Sequence, residues 1–190
     1  MGIRRYVLAT AIVAWLGVVG LGVQTIHAYA ARPGSRSATP RRWPQASELR
    51  HGGVTVAMFV HPACPCTRAS ITELARALRG ARGQVTVEIV SSEPLTDELR
   101  ARFTAIPTAH LRFDRDGREA ARFGALTSGH VVAYDVTGRL AFSGGITPAR
   151  GHEGANMGER SLAQLLAGAA PTVATRGVFG CGLHGNVAPR

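Results

Sequence analysis

Residues 6–23, YVLATAIVAWLGVVGLGV, form an apolar run without a single charge, and the uncharged stretch continues through Gln24 to Ala31. A bilayer core needs about 20 mostly apolar residues, whereas the apolar core of a secretory signal is about 7–15 residues long. A buried helix of a soluble protein would carry polar punctuation that this stretch lacks. Residues 1–31 therefore read as a signal anchor, one N-terminal transmembrane helix that meets the lipid bilayer through residues 6–31. Ala28-Tyr29-Ala30 has the small-x-small pattern that a signal peptidase accepts, so secretion after cleavage behind Ala30 is the alternative. Arg4 and Arg5 precede the run, and Arg32, Arg36, Arg41 and Arg42 follow it. The positive-inside rule alone would leave the following chain in the cytoplasm. A short N-terminus with two Arg ahead of an apolar run is the ordinary export geometry. The expectation is a single pass through the inner (cytoplasmic) membrane, with the globular part facing the periplasm.

Charge becomes informative once it is placed. The net charge is +10, and every one of the 22 basic residues is Arg. Residues 1–50 hold seven Arg against one acid, a local charge of +6; the rest holds 15 Arg and 11 acids, or +4. The larger part thus flanks the apolar run, where Arg meets lipid head groups. The remainder is dispersed, with no basic run and no interleaved aromatic stripe, which excludes nucleic acid as a partner. No GxGxxG or P-loop precedes a helix, so no nucleotide is expected either.

Residues 32–50, with Pro33, Pro40 and Pro44 among Gly, Ser and Arg, show no apolar period and read as a linker. Residues 54–60 (VTVAMFV) have the β-branched apolar character of a strand. Ile71, Leu74, Ala75 and Leu78 recur at helical spacing. Further strands are predicted over 85–90, 109–113, 130–134 and 140–142, with helices over 96–103, 116–123 and 159–166. Asp135-Val136-Thr137-Gly138 forms the turn between the last two strands. Strands and helices alternate, then a hairpin and a helix close the chain; that order predicts an α/β fold with a mixed sheet over 51–170. Residues 171–190 form a C-terminal tail.

Two of the three cysteines, Cys64 and Cys66, lie where the first strand gives way to the first helix. Free N–H groups and the positive dipole end of a helix stabilise a thiolate there. Cys64 is the candidate nucleophile and Cys66 the thiol near enough to resolve a mixed disulfide. A disulfide across one intervening residue closes a small strained ring, and strain favours reduction. The alternative is two buried, inert thiols.

The segment VAMFVHPACPCTRASITELARAL resembles the active-site segment of the thioredoxin-like superfamily, in which a strand leads to Cys-x-x-Cys at the head of a long helix. Cys64 matches the first cysteine and Cys66 the second, with one residue deleted; Ala63 stands where a tryptophan is usual. HPACPCTRAS, RFGALTSGHVVAYDVTGRLAFSGGITPARGHEGANMG and VFGCGL are most similar to RedB, a family of membrane-anchored bacterial thioredoxin-like proteins, over about residues 54–183. The resemblance implies a thioredoxin-like three-layer fold with a central mixed sheet, redox activity through Cys-Pro-Cys, and a thiol or disulfide protein partner in the periplasm. It also implies a segment facing the cysteines, held by a cis-proline in the superfamily. Ile106-Pro107-Thr108 has that spelling; in the TlpA and peroxiredoxin-like register Thr127-Ser128-Gly129 takes the place instead. The second register uses all the predicted strands and is preferred.

Cys181, in Phe179-Gly180-Cys181-Gly182-Leu183-His184, is either a third thiol that joins Cys64 and Cys66 or an incidental thiol of the tail. Cys64, Cys66 and Cys181 with His61 or His184 are soft ligands suited to Cu(I) or Zn(II). No cofactor is expected, with copper the alternative. The Gly-rich loop 150–158 reads by composition as an ordinary solvated loop, the alternative being a cover over the cysteines that offers His152 or Glu153 for proton transfer. Three functions remain: a thiol–disulfide oxidoreductase, a copper-binding chaperone, and a non-catalytic assembly factor for respiratory or photosynthetic electron transport.

Overall fold

The computed structural model describes residues 2–106 and 108–184, and it divides into two compact units between Arg32 and Pro33. In the first, α1 (Gly2–Ala30) is apolar on all sides, and none of its span is buried. The 28 residues from Ile3 to Ala30 extend about 42 Å at 1.5 Å per residue, more than the roughly 30 Å of a hydrocarbon core. Its two threonines are satisfied within the helix: Thr10 Oγ1 donates to the Tyr6 carbonyl and Thr25 Oγ1 to the Leu21 carbonyl, each at 2.8 Å. A helix with no polar face, its threonine hydroxyls satisfied by its own backbone, suits a lipid surrounding.

In the second unit β1 (Val54–Val60) lies at the centre of a five-stranded sheet with β2 (Val85–Ser91), β3 (Ala109–Phe113), β4 (His130–Tyr134) and β5 (Leu140–Gly145), in the order β3-β2-β1-β4-β5. β1, β2 and β3 run parallel, while β4 is antiparallel to both β1 and β5. Strand alternation sorts β1 between two cores. Val56, Met58 and Val60 face Leu74 and Ala77 of α2 (Pro65–Leu78), Leu99 and Phe103 of α3 (Asp97–Thr104), and Leu162 and Leu166 of α5 (Met157–Leu166). Ala57 and Phe59 face Phe123 and Tyr134 on the opposite side, next to α4 (Arg118–Arg122). The expected hairpin is present: Asp135 Oδ1 accepts from Thr137 N and Arg139 N at 2.8 and 3.0 Å.

Three expectations change in detail. α2 begins at Pro65, ahead of the apolar repeat that opens at Ile71, because proline is pre-shaped for the first helical position and has no N–H to leave unpaired; Cys66 is thereby inside the first turn. Residues 33–50, expected as a linker, belong to the compact unit and run over the sheet: Gly34 N donates to Val178 O, Ser37 N to Gly124 O and Trp43 N to Gly138 O. Trp43 stacks on His51 and meets Phe123 and Tyr134 edge-on at 5.0 and 5.2 Å. The described part of the C-terminal tail also pairs with the domain, through bridges Ser143–Thr175 and Thr127–Gly182.

Candidate functional site

β1 is central and buried, so its end at Val60 fixes the turn that follows. Cys64 is the N-cap of α2, in extended backbone geometry. Its N–H donates to the His61 carbonyl and its own carbonyl accepts from Thr67 N, both at 3.0 Å. Thr67 Oγ1 donates back to the His61 carbonyl at 2.7 Å and meets Ser128 Oγ at 3.1 Å. Ser128 Oγ also accepts from His61 N at 2.9 Å. The turn carrying the cysteines is thus held by Ser128, from the loop just ahead of β4. Gly129, at φ 87°, donates its N–H to the Phe59 carbonyl, and a Cβ there would lie 2.7 Å from Ser70 Oγ. Thr127-Ser128-Gly129 therefore faces the cysteines. The competing position, Pro107, lies outside the described residues; Ala109, two residues on, opens β3 at the edge of the sheet.

Cys64 and Cys66 are buried, with 4% and 3% of their surface exposed, and Cys181 is exposed. The chain brings all three together. Cys181 N–H donates to Cys64 Sγ at 3.4 Å. Cys64 is held at a pKa of about 4: the hydrogen bond from the Cys66 thiol is the main cause, burial opposes it, and donors from Cys181 and the Cys66 N–H add to it. As the donor in that bond, buried beside a thiolate, Cys66 is pushed far above the usual thiol range, with the Gly151 N–H working the other way. Burial raises Cys181 as well, reinforced by its hydrogen bond to Cys64 and by the Cys64 charge, while the charge of Arg150 opposes this. All three thiols are unbridged. The arrangement is one thiolate stabilised by two thiols at a helix N-terminus, which prepares a sulfur nucleophile.

The Gly-rich loop does reach the site, but through its backbone and Arg150. Arg150 Nη1 donates to the Gly180 carbonyl. His152 is exposed, with Nδ1 2.6 Å from the Arg150 carbonyl, and Glu153 accepts from Thr72 Oγ1 at 3.1 Å. Glu73 pins the loop: fully buried on α2, it accepts from Gly154 N and from Arg76 Nη1, both at 2.7 Å. Sequence reasoning passed over Glu73, although a carboxylate between Ile71 and Leu74 on the buried side of a helix is itself a signal. Both ring nitrogens of His61 have neighbours other than sulfur, Nδ1 accepting from Ala63 N and Nε2 lying 3.6 Å from Glu93 Oε1. His184 packs against Gly117. Among the described residues no group of three or more His, Cys, Asp or Glu is arranged to hold a metal ion. Open grooves flank the site, one of about 480 Å³ bounded by Pro62, Cys64, Arg68 and Glu153, the other of about 400 Å³ bounded by His61, Phe113 and Leu183.

Parallel β1 and β2 joined through α2, an antiparallel hairpin on the other flank of β1, and thiols at the head of α2 define a thioredoxin-like fold, here with α3, β3 and α4 between β2 and the hairpin. No family model and no curated protein matches the sequence. Among solved structures, the chain is similar to an uncharacterized conserved protein from Geobacillus kaustophilus, at a TM-score of 0.58 and 16% identity over 84% of this chain and 95% of that one. It is also similar to a hypothetical protein from Sinorhizobium meliloti 1021, at a TM-score of 0.57 and 19% identity over 83% and 96%. A secreted disulfide oxidoreductase of Mycobacterium tuberculosis, homologous to E. coli DsbE, overlaps less, at 0.39 and 20% over 47% and 66%. At these identities the likeness is one of fold.

Proposed function

We propose that the chain is a membrane-anchored thiol–disulfide redox protein of the RedB type, with its domain in the periplasm and a thiol or disulfide protein as its partner. The observation that carries this reading is the buried Cys64 sulfur, which accepts hydrogen bonds from Cys66 and Cys181 at the first turn of α2. That geometry supports attack by the Cys64 thiolate on a partner disulfide. A Cys64–partner S–S bond forms, the partner disulfide breaks, and the leaving partner thiolate takes a proton from solvent. A second thiol of the site then gives up its proton and attacks Cys64 Sγ. The partner's other sulfur leaves as a thiolate, so the partner gains two electrons and the chain holds one new disulfide. The same steps in reverse oxidise a dithiol partner. The apolar α1 supports the anchor, and the two Arg ahead of it support export.

The test is exchange between the reduced full-length chain and an aromatic disulfide such as 5,5′-dithiobis(2-nitrobenzoate). Cys64→Ser should abolish the rapid phase, and wild-type exchange should persist at pH 5. Rapid exchange surviving in Cys64→Ser, or a wild-type rate that falls away below the usual thiol pKa of about 8.5, would overturn the reading.

A further inference from the structure

The C-terminal segment lies across the cysteine site, joined by an isolated antiparallel bridge. Ser128 N donates to the Cys181 carbonyl at 2.8 Å and Leu183 N to the Leu126 carbonyl at 3.0 Å, around the antiparallel bridge Thr127–Gly182. These bonds, with Arg150 on the Gly180 carbonyl, position Cys181 independently of any sulfur contact. The fit is close: a Cβ at Gly180 would collide with the Ser128 carbonyl, so only glycine follows this path. Leu183, buried at 2% exposure, anchors the far end of the segment.

Resting on the redox reading above, we infer that Cys181 is the thiol that closes the disulfide on Cys64, while Cys66 remains a thiol that stabilises the Cys64 thiolate. Three observations converge. Cys66 is buried, with Pro65 between it and Cys64, so their disulfide would close a small strained ring; Cys181 reaches Cys64 from a segment already held in place. Cys181 already lies against the sulfur it would attack, its N–H donating to Cys64 Sγ at 3.4 Å. Once Cys64 is tied in a mixed disulfide its charge is gone, and Arg150 then favours the Cys181 thiolate, on the exposed side of the site. The balance is complete: Cys181 loses its proton to solvent and attacks Cys64 Sγ, the Cys64–Cys181 bond forms, and the partner's sulfur leaves with the electron pair. In that oxidised state a covalent bond adds to the main-chain hydrogen bonds that already hold residues 181–183 over Leu126–Ser128.

The experiment oxidises the reduced full-length chain in detergent with glutathione disulfide, alkylates the remaining thiols, and maps the linked peptides. The expected product is Cys64–Cys181 with Cys66 alkylated, and Cys66→Ser should form the same bond. Gly180→Ala leaves every thiol in place and should slow closure on the order of 100-fold, the scale of loss when a reacting group is misplaced by about an ångström, while Cys64 still forms a mixed disulfide with glutathione. A Cys64–Cys66 bond with Cys181 alkylated overturns this inference and leaves the redox reading standing. Absence of any modification at Cys64 overturns both.

Discussion

Cys64 and Cys66 share one proton over most of the accessible pH range. The unfolded chain keeps the Cys64 proton up to about pH 9, whereas the folded chain gives it up at about 4. Between those values the unfolded state binds more protons, so raising the pH stabilises the reduced fold. Above 9 the sign reverses, because unfolded Cys66 ionises while folded Cys66 is held protonated by its bond to the thiolate. Alkylation of Cys64 by iodoacetamide should therefore proceed at a nearly constant rate from pH 8 to 5 and fall through about 4. Cys66→Ala removes the leading donor and should move that inflection up by roughly two pH units; an unmoved inflection would show that Cys66 does not set it. His130 adds a second acid-sensitive group. It is fully buried, with Nε2 2.9 Å from Ser143 Oγ, and burial, helped by Arg36, lowers its pKa to about 4. The unfolded histidine takes up its proton near 6.5 and the folded one does not. Stability is lost as pH falls through that window, by about 3 kcal/mol once pH 4 is reached. In urea titrations at pH 7 and 4.5, His130→Gln should lose less stability on acidification than the wild type; equal losses would count against this assignment.

The elements divide by how their sequence encodes them. β1, α2 and the β4–β5 hairpin were legible because each buries a regular face: VTVAMFV alternates between two cores, Ile71, Leu74 and Leu78 pack on one side of α2 while Ala75, grouped with them by spacing, is exposed, and Asp135–Gly138 carries its own turn chemistry. The strap of residues 33–50 and the segment 174–183 were not legible as structure. Both are held by main-chain hydrogen bonds to the domain, and such bonds leave no periodic trace in side-chain identity. The same reason hid the third part of the site. Cys64 and Cys66 announce themselves at the strand–helix junction, but Cys181 arrives on a segment held by an isolated bridge, whose residue-level signals are Gly180 and Gly182. Ser128 was visible through a family-like register rather than through its hydroxyl, whose partners are a backbone N–H and Thr67. Glu73 acts across α2 and the Gly-rich loop, a contact between residues 81 positions apart that no local pattern reports.

At the scale of the molecule, the boundary of the soluble unit decides what a membrane-free form will do. The domain was expected to start at residue 51, but its contacts begin at the strap. Thr127 Oγ1 donates to Ser35 O, Thr39 Oγ1 pairs with Ser143 Oγ at 2.7 Å, and Tyr134 Oη donates to Pro40 O at 2.9 Å. Leu140 N donates to Arg41 O, and Trp43 covers Phe123 and Tyr134. A fragment of residues 33–190 keeps all of these. One of residues 45–190 exposes the Tyr134 hydroxyl and the Phe123 ring, and loses the Trp43 side chain, a type of deletion that costs about 3–5 kcal/mol in a core. Trp43 is only partly buried, so about 3 kcal/mol is the appropriate scale for the ring, with about 1 kcal/mol for each hydrogen bond left unreplaced by water. Domains of this size have only about 5–15 kcal/mol in total. The shorter fragment should therefore melt about 10 °C or more below the longer one, at about 2–4 °C per kcal/mol. Since Thr127 is held by Ser35 and is bridged to Gly182, it should also lose order around Cys181. Equal melting temperatures, with equal yields of the Cys64–Cys181 disulfide, would show that the strap is a passive covering and that the redox site is complete without it.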